Sequence, residues 1–264
     1  MAVRPRFRGR AVVSSPPMIS LVLDIGNTAA KYGCFDGAAL AEAGSVASVE
    51  ELRAVLRRTR ATHVLLASVA VPAEEWAAAL AGEELEQVLV FKPGTTPVPL
   101  TNAYATPQTL GADRLAGAVG AAYLLPGRPV LVIDAGTCIK CDLVTADATY
   151  RGGSIAPGLR MRLQAMHAFT GRLPELPLPT AAEAWQLALC GNDTRTAMLS
   201  GGLNGAALEV NGMIASYRAE YPALAVVLTG GDAAFFESRL KGRIFVVSEL
   251  ILLGLHRILV LNVG

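Results

Sequence analysis

One pattern occurs twice in this chain: an apolar, strand-like run that ends in an aspartate followed by a glycine turn. Residues 19–25 run into Asp24-Ile25-Gly26-Asn27-Thr28, and residues 129–133 run into Asp134-Ala135-Gly136-Thr137. Each copy continues into a second strand-like run (29–35 and 138–144), a polar turn, a third short run and then helical sequence. A single Asp-x-Gly is a common hairpin turn. Two copies with matching chemistry at matching places point instead to an internal duplication. The fold expected is α/β, with two lobes facing one another across a cleft and one acidic glycine turn in each.

The rest of the sequence fits that plan. Residues 50–60 and 73–81 carry helical periodicity, and 63–69 and 87–91 read as strands. Four prolines between 93 and 107 make a long loop, and loops of that length in compact domains tend to be functional. Gly111-Ala112-Asp113-Arg114 opens a helix that runs to about Leu125. In the second half, 152–158 reads as a glycine-rich loop, 159–169 as a helix and 174–179 as another proline-rich loop. A long helical region follows to Tyr217, then a strand at 225–228 that ends in Thr229-Gly230-Gly231-Asp232. A strand at 243–247 and a helix at 249–259 close the chain. The expected organisation is a disordered extension at 1–17, a first lobe at 18–128 and a second at 129–264. The last helix, about 249–260, is free to pack back on the first lobe.

Composition narrows the function. Twenty-three basic residues against twenty-two acidic ones leave a net charge of +1, without the basic excess of a nucleic-acid binder. The greasiest stretch, 244–263, is broken by Ser248, Glu249, His256 and Arg257, so no membrane span is expected. The four cysteines are scattered, as free thiols in a reducing cytoplasm would be. Cys138-x-x-Cys141 is not read as a metal or redox pair: residues three apart on a strand point to opposite faces, and no second pair completes the ligands. His63, His167 and His256 lack metalloprotease spacing. The P-loop, the dinucleotide-binding glycine fingerprint and the nucleophile elbow are all absent.

What remains is phosphate chemistry. Glycine turns expose backbone N–H groups to oxyanions, and an aspartate at the carboxyl end of a strand can hold Mg²⁺ or its water shell. Asp24 is so placed, with Asn27 and Thr28 as donors and Lys31 as a nearby charge. Thr229-Gly230-Gly231-Asp232 supplies a third turn ahead of a helix. Asp113 stands in the first turn of a helix, where dipole and free amides favour an anion, and Arg114 beside it can fork onto a carboxylate.

These boxes together resemble the type III pantothenate kinases. Asp24-Ile25-Gly26-Asn27-Thr28-Ala29-Ala30-Lys31, Gly111-Ala112-Asp113-Arg114, Asp134-Ala135-Gly136-Thr137, Gly152-Gly153 with Pro157-Gly158, Asp193-Thr194 and Thr229-Gly230-Gly231-Asp232 follow in that family's order from Met18 onward. The resemblance implies two ribonuclease H-like lobes of the actin-like ATPase type, each with mixed sheet and helices, and a nucleotide cleft between them. It implies ATP-dependent phosphorylation of pantothenate to 4'-phosphopantothenate, the first step of coenzyme A synthesis, by a cytoplasmic homodimer. Asp113 would be the general base. Tyr104, Gly111, Ala112, Asp113, Arg114 and Thr194 would bind pantothenate. Asp24, Ile25, Gly26, Asn27, Thr28, Lys31 and Thr137 would bind ATP. Asp24 would hold Mg²⁺ through water, and Asp134 a monovalent cation, K⁺ or NH₄⁺. Two other readings remain beside it: another small-molecule kinase of the superfamily, and a nucleotide-binding regulatory homologue.

The chain departs from the family at Lys140, where a small residue is usual. Strand alternation puts Lys140 on the face of Cys138. It is then either exposed, or close enough to the cation site to compete there, which would weaken the need for K⁺ without abolishing catalysis.

Overall fold

The computed structural model describes residues 18–26, 29–180, 183–184 and 186–263. The expected extension at 1–17 and two expected ATP contacts, Asn27 and Thr28, lie outside the described residues. The chain forms two compact units.

The N-terminal unit begins with β1 (Ile19–Ile25), β2 (Ala30–Asp36), β3 (Ala39–Val46), α1 (Val49–Thr59), β4 (His63–Ser68), α2 (Ala73–Ala79) and β5 (Gln87–Val90). Its sheet is ordered β3-β2-β1-β4-β5, with β1–β2 and β2–β3 antiparallel and β1–β4 and β4–β5 parallel. The central strands are apolar on both faces because both faces are covered. Leu21, Leu23, Val64 and Leu66 pack with Leu52, Val55 and Leu56 of α1. Val22, Leu65 and Ala67, the alternate residues, pack on the opposite side. Helix α1 starts at Ser48, whose hydroxyl accepts from the Glu51 N–H at 3.3 Å while the Glu51 carboxylate accepts from the Ala47 N–H at 2.7 Å. It ends on Arg60 in the left-handed conformation. The long loop that follows contains the two-residue strand β6 (Thr101–Asn102) and a 3₁₀ turn at Pro107–Thr109, and it leads into α3 (Ala112–Leu124).

The central unit comprises Arg128–Leu143 and Gly153–Ser248. Its strands are β7 (Val130–Ala135), most of β8 (Cys138–Val144), the later part of β9 (Thr149–Pro157), β10 (Ala225–Thr229) and β11 (Phe245–Val246), ordered β11-β10-β7-β8-β9. Its helices include α4 (Leu159–Ala168), α5 (Thr194–Leu199), α6 (Gly205–Glu220) and α7 (Ala233–Glu237), with Leu163, Leu203, Ala206 and Val210 packed on Leu131, Ile133, Val226 and Leu228.

Two expectations are corrected here. Residues 152–157 are strand rather than loop: Gly153 has no room for a side chain, since a Cβ would stand 1.7 Å from the Cys141 carbonyl oxygen, so its glycine serves close strand approach instead of turn formation. The helical region before Tyr217 is two helices joined by a π-helical turn at Ser200–Asn204.

Residues Val144–Gly152 and those from Glu249 onward belong with the N-terminal unit. There Thr149 and Tyr150 of β9 pair in parallel with Thr101 and Asn102. The final helix, α8 (Leu250–Val263), packs along α3. Glycines set the closeness of that crossing: a Cβ on Gly254 would lie 1.8 Å from the Ala116 carbonyl oxygen, and one on Gly120 would lie 2.5 Å from that of Leu250.

Candidate active site

In the N-terminal unit the β1–β2 hairpin carries the first acidic turn. Asp24 lies directly across the ladder from Lys31, and Ile25 across from Ala30. The Gly26 N–H donates to the Ala29 carbonyl at 3.1 Å, which closes the turn. Lys31 is exposed.

The same unit holds five of the expected pantothenate-site residues: Gly111, Ala112, Asp113 and Arg114 at the start of α3, and Tyr104 against Arg114. Gly111 is the N-cap and offers no side chain to the open amides. Asp113 serves instead, its Oδ1 accepting from the Arg114 N–H at 2.8 Å. The missing Gly111 side chain matters: a Cβ there would stand 2.7 Å from Asp113 Oδ1. Arg114 is 7% exposed, not the solvated helix residue that sequence alone allows, and its guanidinium lies 5.5 Å from the Tyr104 ring centroid.

Tyr104 is held by residues that the motifs did not single out. Its N–H donates to Asn102 Oδ1 at 3.0 Å, and its ring lies 6.1 Å from the fully buried Tyr150 ring. Gly152, at φ +85°, lets the ring lie on the β9 backbone; a Cβ there would come within 2.9 Å of it. A polar residue two positions before the tyrosine was the only hint of Asn102 in the sequence, and Tyr150 had none.

In the central unit the second acidic turn is tied to the Thr229-Gly230-Gly231-Asp232 loop. Thr229 registers with Asp134 on the parallel β10–β7 pair. Gly230, at φ +97°, passes so close that a Cβ would be 2.6 Å from Asp134 Oδ1 and 2.2 Å from the Ala135 carbonyl oxygen. The Asp232 N–H donates to that same carbonyl at 2.9 Å. Burial raises the Asp232 carboxyl above the usual carboxylate range, with the charge of Arg160 opposing it. On the other side the Gly158 N–H donates to Thr137 O at 3.1 Å. Thr137 is exposed. Thr194 is also exposed and begins α5, behind a capping box in which Asp193 accepts from the Thr196 N–H at 2.8 Å.

Lys140 resolves the question its sequence position raised. Its Nζ lies 2.7 Å from Asp134 Oδ2, and both side chains are 16% exposed. The carboxylate expected to hold a free monovalent cation therefore already holds an ammonium, and this donor set does not fit an added ion. For Mg²⁺ the fit is different. Among the described residues no group of three or more His, Cys, Asp or Glu could cage a metal. One carboxylate, that of Asp24, suits an ion that keeps its waters and takes its other ligands from phosphate.

Cys138 and Cys141 are free thiols on β8, half-buried and buried respectively. Burial pushes the Cys141 thiol up to about 12, which leaves it inert.

Two sheets with flanking helices and paired acidic glycine turns define the class. The structure aligns with a ROK hexokinase from Thermus thermophilus over 94% of this chain and 100% of that one, with a TM-score of 0.53 at 17% identity, and so shares the fold of those kinases. Within that class, the type III pantothenate kinase family model matches residues 20–216. A type III pantothenate kinase from Phocaeicola vulgatus is 41% identical over 246 residues, covering 92% of this chain and 99% of that protein. Its counterpart from Bacteroides fragilis is 42% identical over 248 residues, covering 93% and 99%. The chain belongs to the type III pantothenate kinase family.

Proposed function

We propose that this protein transfers the γ-phosphoryl group of Mg-ATP to the primary hydroxyl of pantothenate. The observation that carries the reading is the start of α3. There the Asp113 carboxylate, two residues past the side-chain-free N-cap Gly111, stands beside a buried arginine whose guanidinium lies 5.5 Å from a tyrosine ring.

Phosphoryl transfer asks a protein mainly for positioning and charge neutralisation, plus one acceptor for the hydroxyl proton. Asp113 is that acceptor. Arg114, with Tyr104 beneath it, takes the pantothenate carboxylate, and Gly111, Ala112 and Thr194 complete the substrate contacts. The turn at Asp24, Ile25 and Gly26, with Asn27, Thr28 and Lys31, and Thr137 on the other turn bind the nucleotide through backbone amides, hydroxyls and charge. Magnesium, when bound, neutralises charge on the phosphates, and Asp24 would hold it through water.

The working form we propose is a cytoplasmic homodimer. The free thiols are consistent with the compartment. Ile155, Phe169, Leu189 and Leu208 of the central unit expose apolar side chains that a partner subunit would cover. No helix among the described residues is long and apolar enough to cross a membrane.

A coupled ADP-release assay on the purified full chain tests the reading. Turnover is expected with pantothenate and not with glucose or acetate. Release of ADP with a sugar in preference to pantothenate, or with no acceptor at all, overturns it.

A further inference from the structure

The two duplicated hairpins each carry a lysine on the second strand, but they use it differently. In the N-terminal unit Lys31 stands across from Asp24 and is exposed. In the central unit the Gly136 N–H donates to Cys138 O at 3.0 Å, so Asp134 and Lys140 lie equally far from the turn on facing strands. There the lysine is turned inward, onto Asp134.

We propose that Lys140 is a built-in cation. Its ammonium takes the position on Asp134 that a free monovalent ion would occupy, and it makes nucleotide binding and turnover by this chain independent of added K⁺ or NH₄⁺. This deepens the kinase reading above and rests on it.

Three observations carry it. The 2.7 Å contact is a charge-assisted hydrogen bond made by two side chains that are mostly withdrawn from water, where pairing is screened far less than at a surface. The other carboxylate oxygen faces the close-passing Gly230 backbone, where an added Cβ would stand 2.6 Å from it, and the oxygen turned the other way is the one that Lys140 takes. The chemistry also matches: a lysine ammonium is a compact unit charge with three N–H donors, the same charge and donor character as NH₄⁺. A second unit charge beside it would meet repulsion in place of an open carboxylate. Lys140 thus acts as a positioning residue, fixing Asp134 and the turn it ends, and it contacts no reacting atom.

The experiment uses the full chain at constant ionic strength, with K⁺, NH₄⁺ or tetramethylammonium as the only monovalent cation. It reads ADP release with pantothenate and, separately, the rise in Tm caused by Mg-ATP. The wild type is expected to keep turnover and the Tm rise within about two-fold in all three salts. Lys140→Ala, and Lys140→Gln as a bulkier alternative should the first fold poorly, are expected to lose ten-fold or more in tetramethylammonium and to recover with K⁺ or NH₄⁺. A merely structural lysine would show no such ion-specific rescue. A wild type that needs K⁺ or NH₄⁺ by ten-fold or more overturns the inference, as do variants that are fully active in tetramethylammonium or unrescued by either ion. If pantothenate is not turned over in any salt, the kinase reading fails. The ATP-induced Tm rise then still decides the role of Lys140: a rise of equal size in all three salts supports it, and a rise only with K⁺ or NH₄⁺ overturns it.

Discussion

The α3–α8 crossing fixes where the helix bearing Asp113 begins, so Gly254→Ala is the most informative single perturbation of the scaffold. The added methyl would lie 1.8 Å from the Ala116 carbonyl oxygen, 2.6 Å from its carbon and 3.0 Å from the Gly120 nitrogen. Relief to ordinary van der Waals contact requires the two helices to part by about 1.5 Å. A gap of about half that size already forfeits a quarter to a half of each dispersion contact, and the crossing is lined by Leu115, Val119, Leu252, Leu255 and Ile258. Overpacking alone costs about 1–3 kcal/mol, and a contact with backbone belongs at the upper end. Alanine returns about 1 kcal/mol of helix propensity, and the loosened seam adds further loss, so the net is about 3 kcal/mol. For a chain of this size that is a fall in Tm of about 6–12 °C. Ala116 lies one turn from Asp113, so the shift also reaches the carboxylate, and a displacement of about 1 Å there can cost about 100-fold in kcat. The control is Gly212→Ala on α6, where a Cβ meets nothing within 4 Å; it should gain about 0.5–1 kcal/mol. Differential scanning calorimetry decides: a Gly254→Ala Tm within about 1 °C of the wild type, or an equal loss for Gly212→Ala, refutes the packing argument.

Other outcomes follow from the same geometry. Asp113→Asn should lower kcat by about two orders of magnitude or more with little change in Tm, and near-normal turnover would remove Asp113 as the base. Gly111→Ala, which sets a methyl 2.7 Å from the Asp113 carboxylate, should lower kcat while leaving thermal stability nearly unchanged; steady-state kinetics beside a melting curve separates the two. Burial, with help from the Arg257 charge, pushes the His256 imidazole down to about 4, and its ring stacks on Phe35 at 4.0 Å. A folded-state value below the unfolded one contributes stability that is fully present above about pH 6.5 and is lost as pH falls toward 4. Urea unfolding should therefore lose about 2 kcal/mol more between pH 7 and 5 in the wild type than in His256→Phe, and equal pH slopes would contradict this. Alkylation of the native protein should label exposed Cys190 first and leave buried Cys34 and Cys141 until unfolding; early labelling of Cys141 by mass spectrometry would overturn its assignment as an inert core thiol.

Local chemistry wrote most of the elements into the sequence. The Asp24 and Asp134 turns sit at strand ends because a buried, doubly covered strand must read as an unbroken apolar run, and a break by Asp and Gly marks its end. The start of α3 was legible because glycine and an acidic residue mark a helix N-terminus. The same local reading failed at 152–157, where glycines that look like a loop are required by close strand pairing, and at the π-helical turn of Ser200–Asn204, which interrupts an otherwise helical pattern.

Pairing between distant residues belongs to the tertiary structure. Alternation could place Lys140 on a face of β8, but only the packed sheet turns it onto Asp134, and only tertiary packing brings the Gly230 backbone close to the other oxygen of that carboxylate. Nothing local marks Tyr150 and Gly152 as the support of Tyr104, since those contacts join a loop to a strand nearly fifty residues away. Periodicity and turn chemistry act over a few residues and so are visible in one dimension. The position of a charge or a ring depends on chain segments that meet only once the core has formed.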